Sequence, residues 1–161
     1  MQQAANQFSS ATSKKVSWTE NVDELTDQLG TPHGSVGILY TSEDLAPFLA
    51  EMIIQLKLKT SISDWVSASG YGTISQNEEI FGASASCVMI LDLPLNCYRI
   101  FSGNSDLGTE LSAQQSDWLT EATMPLVITH VDPRRADAMD AISNLAEKTG
   151  GGYEWGAGWE Q

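Results

Sequence analysis

Apolar positions in this chain fall into two rhythms, and their alternation sets the expected fold. Ser35-Val36-Gly37-Ile38-Leu39-Tyr40 is a short apolar run, which reads as a buried strand. Directly after it, Leu45, Phe48, Leu49, Met52, Ile53 and Leu56 recur at spacings of three and four. That spacing predicts one apolar face of a long helix, capped by Thr41 or Ser42, with Glu43 and Asp44 in its first turn. Pro47 falls early in that helix, where a missing N–H costs least. Trp65-Val66-Ser67-Ala68-Ser69 returns as a strand, so the order is strand, helix, strand, the signature of a layered α/β domain.

The same reading extends to both ends. Residues 1–15 are polar and rich in Ser and Gln, which predicts a flexible N-terminal arm with room for one short strand. A helix capped by Thr19 or Asn21 runs to about Leu29, with Glu20, Asp23 and Glu24 early, and Gly30-Thr31-Pro32 stops it. Ala83 to Leu91 is a fully apolar strand. With a turn over Asp92 to Asn96 and a return strand from Cys97 to Phe101, it predicts a β-hairpin that sets Leu91 opposite Asn96 and Cys87 opposite Ile100. Leu111 to Glu121 predicts a short helix with Trp118 and Leu119 on one side. Leu126 to Val131 is another buried strand. Asp132-Pro133 then opens a helix to about Lys148, with Ala138, Ile142, Leu145 and Ala146 inward and Gly150-Gly151-Gly152 beyond its end. Tyr153-Glu154-Trp155 is a last strand. The expected organisation is an arm over 1–15, one α/β domain over 16–155 with a layered mixed β-sheet packed by helices, and a short tail over 156–161.

Totals narrow the classes of function. The chain has 161 residues, a length that suits one domain. Its 21 Asp and Glu against 8 Lys and Arg give a net charge of −13, which disfavours nucleic acid and anionic membranes as partners. No stretch approaches the ~20 apolar residues of a spanning helix, and no leader-like segment opens the chain, so a cytoplasmic location is expected. Cys87 and Cys97 form no CxxC pair, and in the predicted hairpin they do not face each other, so free thiols are expected.

Candidate chemistry is sparse. Ser69 and Ser86 lack the flanking glycines of a nucleophile elbow. A serine-dependent hydrolase would have to use Ser69 with His130 and Asp132, which is the least favoured reading; no enzyme is expected. Gly70-Tyr71-Gly72 follows a buried strand directly and presents Tyr71 at the strand's end, where α/β ligand sites lie. Neither it nor Gly150-Gly151-Gly152 matches a phosphate-binding pattern, and turns with positive φ are the simpler reading of both. Asp132-Pro133-Arg134-Arg135 gathers two of the eight basic residues at a predicted helix start, which suits an anion or carboxylate. His33 and His130 are isolated, so no metal site is expected. A haem needs only one axial histidine and would fall to His130. Trp155 and Trp159, with the acidic surface, would serve an interaction module.

Taken together, Gly37 to Tyr40 with its helix, Trp65 to Gly72, Ala85 to Pro94, Arg99-Ile100-Phe101 and His130 to Arg134 resemble, in order and spacing, the N-terminal half of FIST domains. The resemblance spans roughly residues 8–155. It implies a FIST N-terminal-like α/β fold and an intracellular sensory domain that binds a small ligand without covalent chemistry. Amino acids are among the candidate ligands, with a haem-bound gas sensor as the variant. Ser69, Gly70 and Tyr71 match the family's strand-end glycine motif, and Asp132 and Arg134 its strand-to-helix segment; Arg135 joins them as a neighbouring cation. A signalling protein such as a kinase is the expected protein partner. The family's C-terminal half has no counterpart after Tyr153 to Gly158, which suits a small relative or a fragment.

Overall fold

The computed structural model describes residues 8–100, 126–132, 134–148 and 154–157. These fall in two compact units divided after Ile100, each described by itself. In the first unit the elements are β1 (Phe8–Ser13), α1 (Trp18–Leu29), β2 (Val36–Ser42), a 3-10 segment (Glu43–Phe48), α2 (Leu49–Thr60), β3 (Asp64–Gly70), β4 (Gly72–Ile74), β5 (Glu79–Phe81) and β6 (Ser86–Leu91). The second unit carries β7 (Val127–His130), α3 (Ala138–Lys148) and β8 (Glu154–Ala157). The fold is α/β. No helix among the described residues is long and apolar enough to cross a membrane.

The central sheet has four strands in the order β1-β6-β2-β3. β2 and β3 are parallel and joined through α2, as the alternating rhythms predict. β6 lies inside the sheet, antiparallel to β1 on one side and to β2 on the other. Register puts Ala11, Val88 and Leu39 side by side on one face. There they meet Val22 and Leu25 of α1, Leu45 of the 3-10 segment, and Met52 and Leu56 of α2, forming one buried cluster. The alternate residues Ser10 and Thr12, Cys87 and Met89, and Ile38 and Tyr40 point to the opposite face.

The segment read as an arm with one short strand supplies that strand, β1, with Ala11 and Ser13 buried. Three expectations change. The long helix after β2 divides. Pro47 lacks an N–H and disfavours α geometry at the residue before it, so the first turn is 3-10 and α2 starts at Leu49.

The hairpin of residues 83–101 does not form. Leu91 is paired with Phe8 and Val36, and Cys87 with Thr12 and Tyr40. With both edges of β6 occupied, no ladder position is left beside it for residues 97–100. These run irregularly instead, tied back by the Tyr98 hydroxyl, which donates to Asp64 at 2.8 Å. Both cysteines are free, Cys87 buried and Cys97 exposed.

In the second unit, α3 begins at Ala138 rather than at Pro133. Ala138 and Leu145 are buried, with Ile142 and Ala146 half-buried, so the inward face is the predicted one. β7 and β8 pair in parallel, Val127 with Glu154 through His130 with Ala157. The predicted helix 111–121 with Trp118 and Leu119, Gly150 to Gly152 and Trp159 lie outside the described residues.

Candidate functional site

β3 ends at Gly70, and β4 begins directly after Tyr71. Ser69 and Gly70 are the last two residues of β3, paired with Thr41 and Ser42. Tyr71 is 66% exposed and leans on Phe81, ring centroids 6.4 Å apart. Gly72 opens β4, which pairs with β5 as a small antiparallel hairpin. Gly70 and Gly72 do not have the positive φ expected of tight turns; Gly30 and Gly82 do. Gly72 is required for another reason. A Cβ there would lie 2.4 Å from the Phe81 ring and 2.7 Å from the Ile80 carbonyl oxygen.

This hairpin forms one wall of a cleft of about 470 Å³ on the sheet face away from the helices. The volume suits a small molecule. Its floor is Ile38, Tyr40, Cys87 and Met89 of the two central strands. Ser10 and Thr12 of β1 line one side, with Gln28 from the end of α1, and residues 74–78 the other. The walls are pinned by local bonds. Thr12 donates its backbone N–H to Gln28 Oε1 at 3.1 Å, and Gln28 Nε2 donates to the Thr12 carbonyl at 2.8 Å. The Gln28 amide thus acts as one more strand residue on the β1 edge. The loop is a closed turn, with Ser75 N–H donating to the Glu78 carbonyl at 2.9 Å and Asn77 N–H to Ser75 Oγ at 3.4 Å. Lys14 Nζ reaches Glu78 Oε2 at 2.6 Å, so an ion pair links the β1 side to the loop.

Two floor groups carry polar atoms. Burial raises the Tyr40 pKa above its ordinary value, which keeps the phenol neutral near pH 7. Thr12 Oγ1 donates weakly to Cys87 Sγ at 3.8 Å. The floor therefore offers apolar surface with a phenol and a thiol as its polar groups.

Of the residues singled out by sequence, Ser69, Gly70 and Tyr71 stand at a strand end as expected, next to the cleft's hairpin in sequence but not lining it. Asp132, Arg134 and Arg135 belong to the second unit. Arg134 donates from Nε and Nη2 to the two Asp132 oxygens at 2.9 and 3.1 Å, and its backbone N–H to Oδ1 at 3.0 Å. Arg135 forks onto Asp137 at 2.9 and 2.7 Å. The Arg134 hydrogen bond holds the Asp132 carboxyl below its usual range, and Arg135 does the same for Asp137. The Arg134 backbone bond is the one an N-cap aspartate makes, so Asp132 caps a turn that precedes α3, and the helix itself starts at Ala138. Both guanidiniums are already matched by a carboxylate, so the arrangement is a pair of exposed forks. His130 closes β7, half-buried, and burial lowers its pKa. No group of three or more His, Cys, Asp or Glu that could hold a metal occurs among the described residues.

The cleft residues were missed by sequence reasoning, although a signal was present. Thr73-Ile74 and Ile80-Phe81 flank the polar Ser75-Gln76-Asn77-Glu78, a four-residue loop between two β-forming pairs. The chain matches no family model, no curated protein and no solved structure. Fold and cleft together define an α/β domain with a ligand-sized opening on the sheet face its helices leave uncovered.

Proposed function

We propose that the first unit is a small-molecule-binding domain and that the cleft beside the β4–β5 hairpin is its site. The observation that carries this reading is the composition of the cleft. An apolar floor lies within a rim of hydrogen-bonding side chains, neutral except for Glu78, in a volume of about 470 Å³. A sensory role fits the same picture, in line with the resemblance of the ordered segments to FIST domains, because it requires binding and no covalent step.

The test is a thermal-shift screen of the chain against amino acids, small carboxylates, small amphipathic molecules and haem. A ligand at one hundred times its Kd stabilises by about 2.7 kcal/mol. Met89→Trp, which fills the floor at a half-open position, should abolish that shift while leaving the free protein folded. No stabilising compound, or stabilisation unaffected by filling the cleft, would overturn the proposal.

A further inference from the structure

We infer that the cleft selects amphipathic organic cations, with an ammonium held at Glu78 and an apolar body lying on Ile38, Ile74 and Met89. This rests on the reading of the cleft as a ligand site.

The argument starts from charge. Glu78 is the one carboxylate lining the cleft, and no Lys or Arg lines it. The remaining polar lining is neutral: Ser10, Thr12, Gln28 and Asn77 among others. An anion would therefore enter against Glu78 and against a chain of net charge −13, with no cation in the lining to receive it. A cation enters with the net charge in its favour, and with Glu78 once it displaces Lys14.

Glu78 is already paired with Lys14, and this pair is what makes exchange cheap. Both side chains are open to water, 55% and 43% exposed. An exposed ion pair of this kind contributes little, because water screens it and two long side chains must be ordered to hold it. A ligand ammonium already positioned by its apolar body can take the Glu78 contact without the ordering of a second long side chain, and Lys14 returns to solvent. Selectivity for a body as well as a head comes from the floor. Ile74 is 68% exposed and Met89 40% exposed, so covering them removes apolar surface from water. The Met89 thioether also suits an aromatic ring.

Three probes with the same ring and nearly the same length separate these contributions: phenethylammonium, 2-phenylethanol and phenylacetate. Each is titrated into the full chain at low salt and followed by amide chemical shifts in residues 10–12 and 74–78. Expected is an affinity order of cation, alcohol, anion, with the cation up to about fivefold tighter than the alcohol, the size of one exposed charge contact. Glu78→Gln should bring the cation down to the alcohol's affinity, and Lys14→Ala should tighten the cation by removing its competitor. Both positions are exposed, and unchanged amide dispersion elsewhere checks the fold. An anion that binds as well as the cation, or a cation preference that survives Glu78→Gln, overturns the inference and leaves the cleft reading standing. If no probe moves the cleft amides, the inference falls, and the thermal-shift screen decides the cleft reading by itself.

Discussion

Thr41 and Ser86 sit opposite each other in register on the helix-covered face, and both are 0% exposed. Neither hydroxyl oxygen has a hydrogen-bond partner. A buried hydroxyl without a partner carries its full desolvation cost, about 1–3 kcal/mol. Thr41→Val replaces the hydroxyl by a methyl of similar size and keeps the β-branch that suits a strand. Valine should therefore stabilise the protein by about 1 kcal/mol, the lower end of that range, since some relaxation already reduces the cost. With a urea m-value of about 1–3 kcal/mol per M, the midpoint should rise by roughly 0.3–1 M with no change in m.

The competing account is that the two hydroxyls rotate to bond each other. Each can donate and accept, so a change of side-chain rotamer would be enough to join them. The two accounts differ in sign. If the hydroxyls pair, Thr41→Val loses a bond and orphans Ser86, and Ser86→Ala does the reverse. A cycle of Thr41→Val, Ser86→Ala and the double variant decides between them. We expect a coupling near zero. Destabilisation by either single change, with a coupling above about 0.5 kcal/mol, would refute the reasoning.

Three further outcomes follow from particular contacts. A Cβ at Gly37 would lie 2.6 Å from the Trp65 ring, so Gly37→Ala should cost about 1–3 kcal/mol by overpacking. It should also shift the Trp65 indole N–H resonance, which reports the 2.8 Å bond to the Ile62 carbonyl. Gln28→Ala removes both hydrogen bonds that cover Thr12 on the β1 edge, and should cost about 1 kcal/mol in urea unfolding and raise self-association in sedimentation runs. For Asp44, burial raises the pKa, but hydrogen bonds from Ser42 and Ser84 outweigh it and leave the carboxyl below its ordinary value. A lowered folded pKa adds stability that is present above the ordinary carboxylate range and lost as pH falls through the folded value. The wild type should thus lose stability more steeply than Asp44→Asn below about pH 4. Ser42→Ala with Ser84→Ala should move the Asp44 titration, read by carboxyl carbon NMR, upward.

Fold class was legible in the sequence wherever a segment carried its own period. β2, α2 and β3 follow from Val36 to Tyr40, the three-and-four spacing through Leu56, and Trp65 to Ser69. Pairing was not legible, because it depends on which edges are free. The run ASCVMIL looks like half of a hairpin with Cys97 to Ile100, since local sequence offers that neighbour first. Its real neighbours are β1, more than seventy residues upstream, and β2. β1 was legible only as room for one short strand, because its composition conceals the burial. Ser9, Ser10, Thr12 and Ser13 read as a polar arm, yet Ala11 is the residue that meets the core, and Gln28 shields the outer edge that so polar a strand leaves exposed.

The same difference explains the site. Sequence reasoning looked for chemistry at strand ends, and Ser69, Gly70 and Tyr71 are indeed at one. Yet a cleft on the open face of a sheet is built from alternate residues of strands far apart in sequence: Ser10 and Thr12, Ile38 and Tyr40, Cys87 and Met89. Each pair is unremarkable on its own, a polar-apolar alternation that any half-exposed strand shows. Only the order β1-β6-β2 sets the three pairs side by side, and only the four-residue loop after Ile74 gives them a wall. The arginines at 134 and 135 fail in the opposite direction. They look like a site in sequence because they are rare, and each is engaged by a carboxylate two residues away. Rarity of a charge is therefore a weaker guide here than the partners it already has, and the same holds for Glu78, whose exposed Lys14 contact has to be displaced before a ligand can use it.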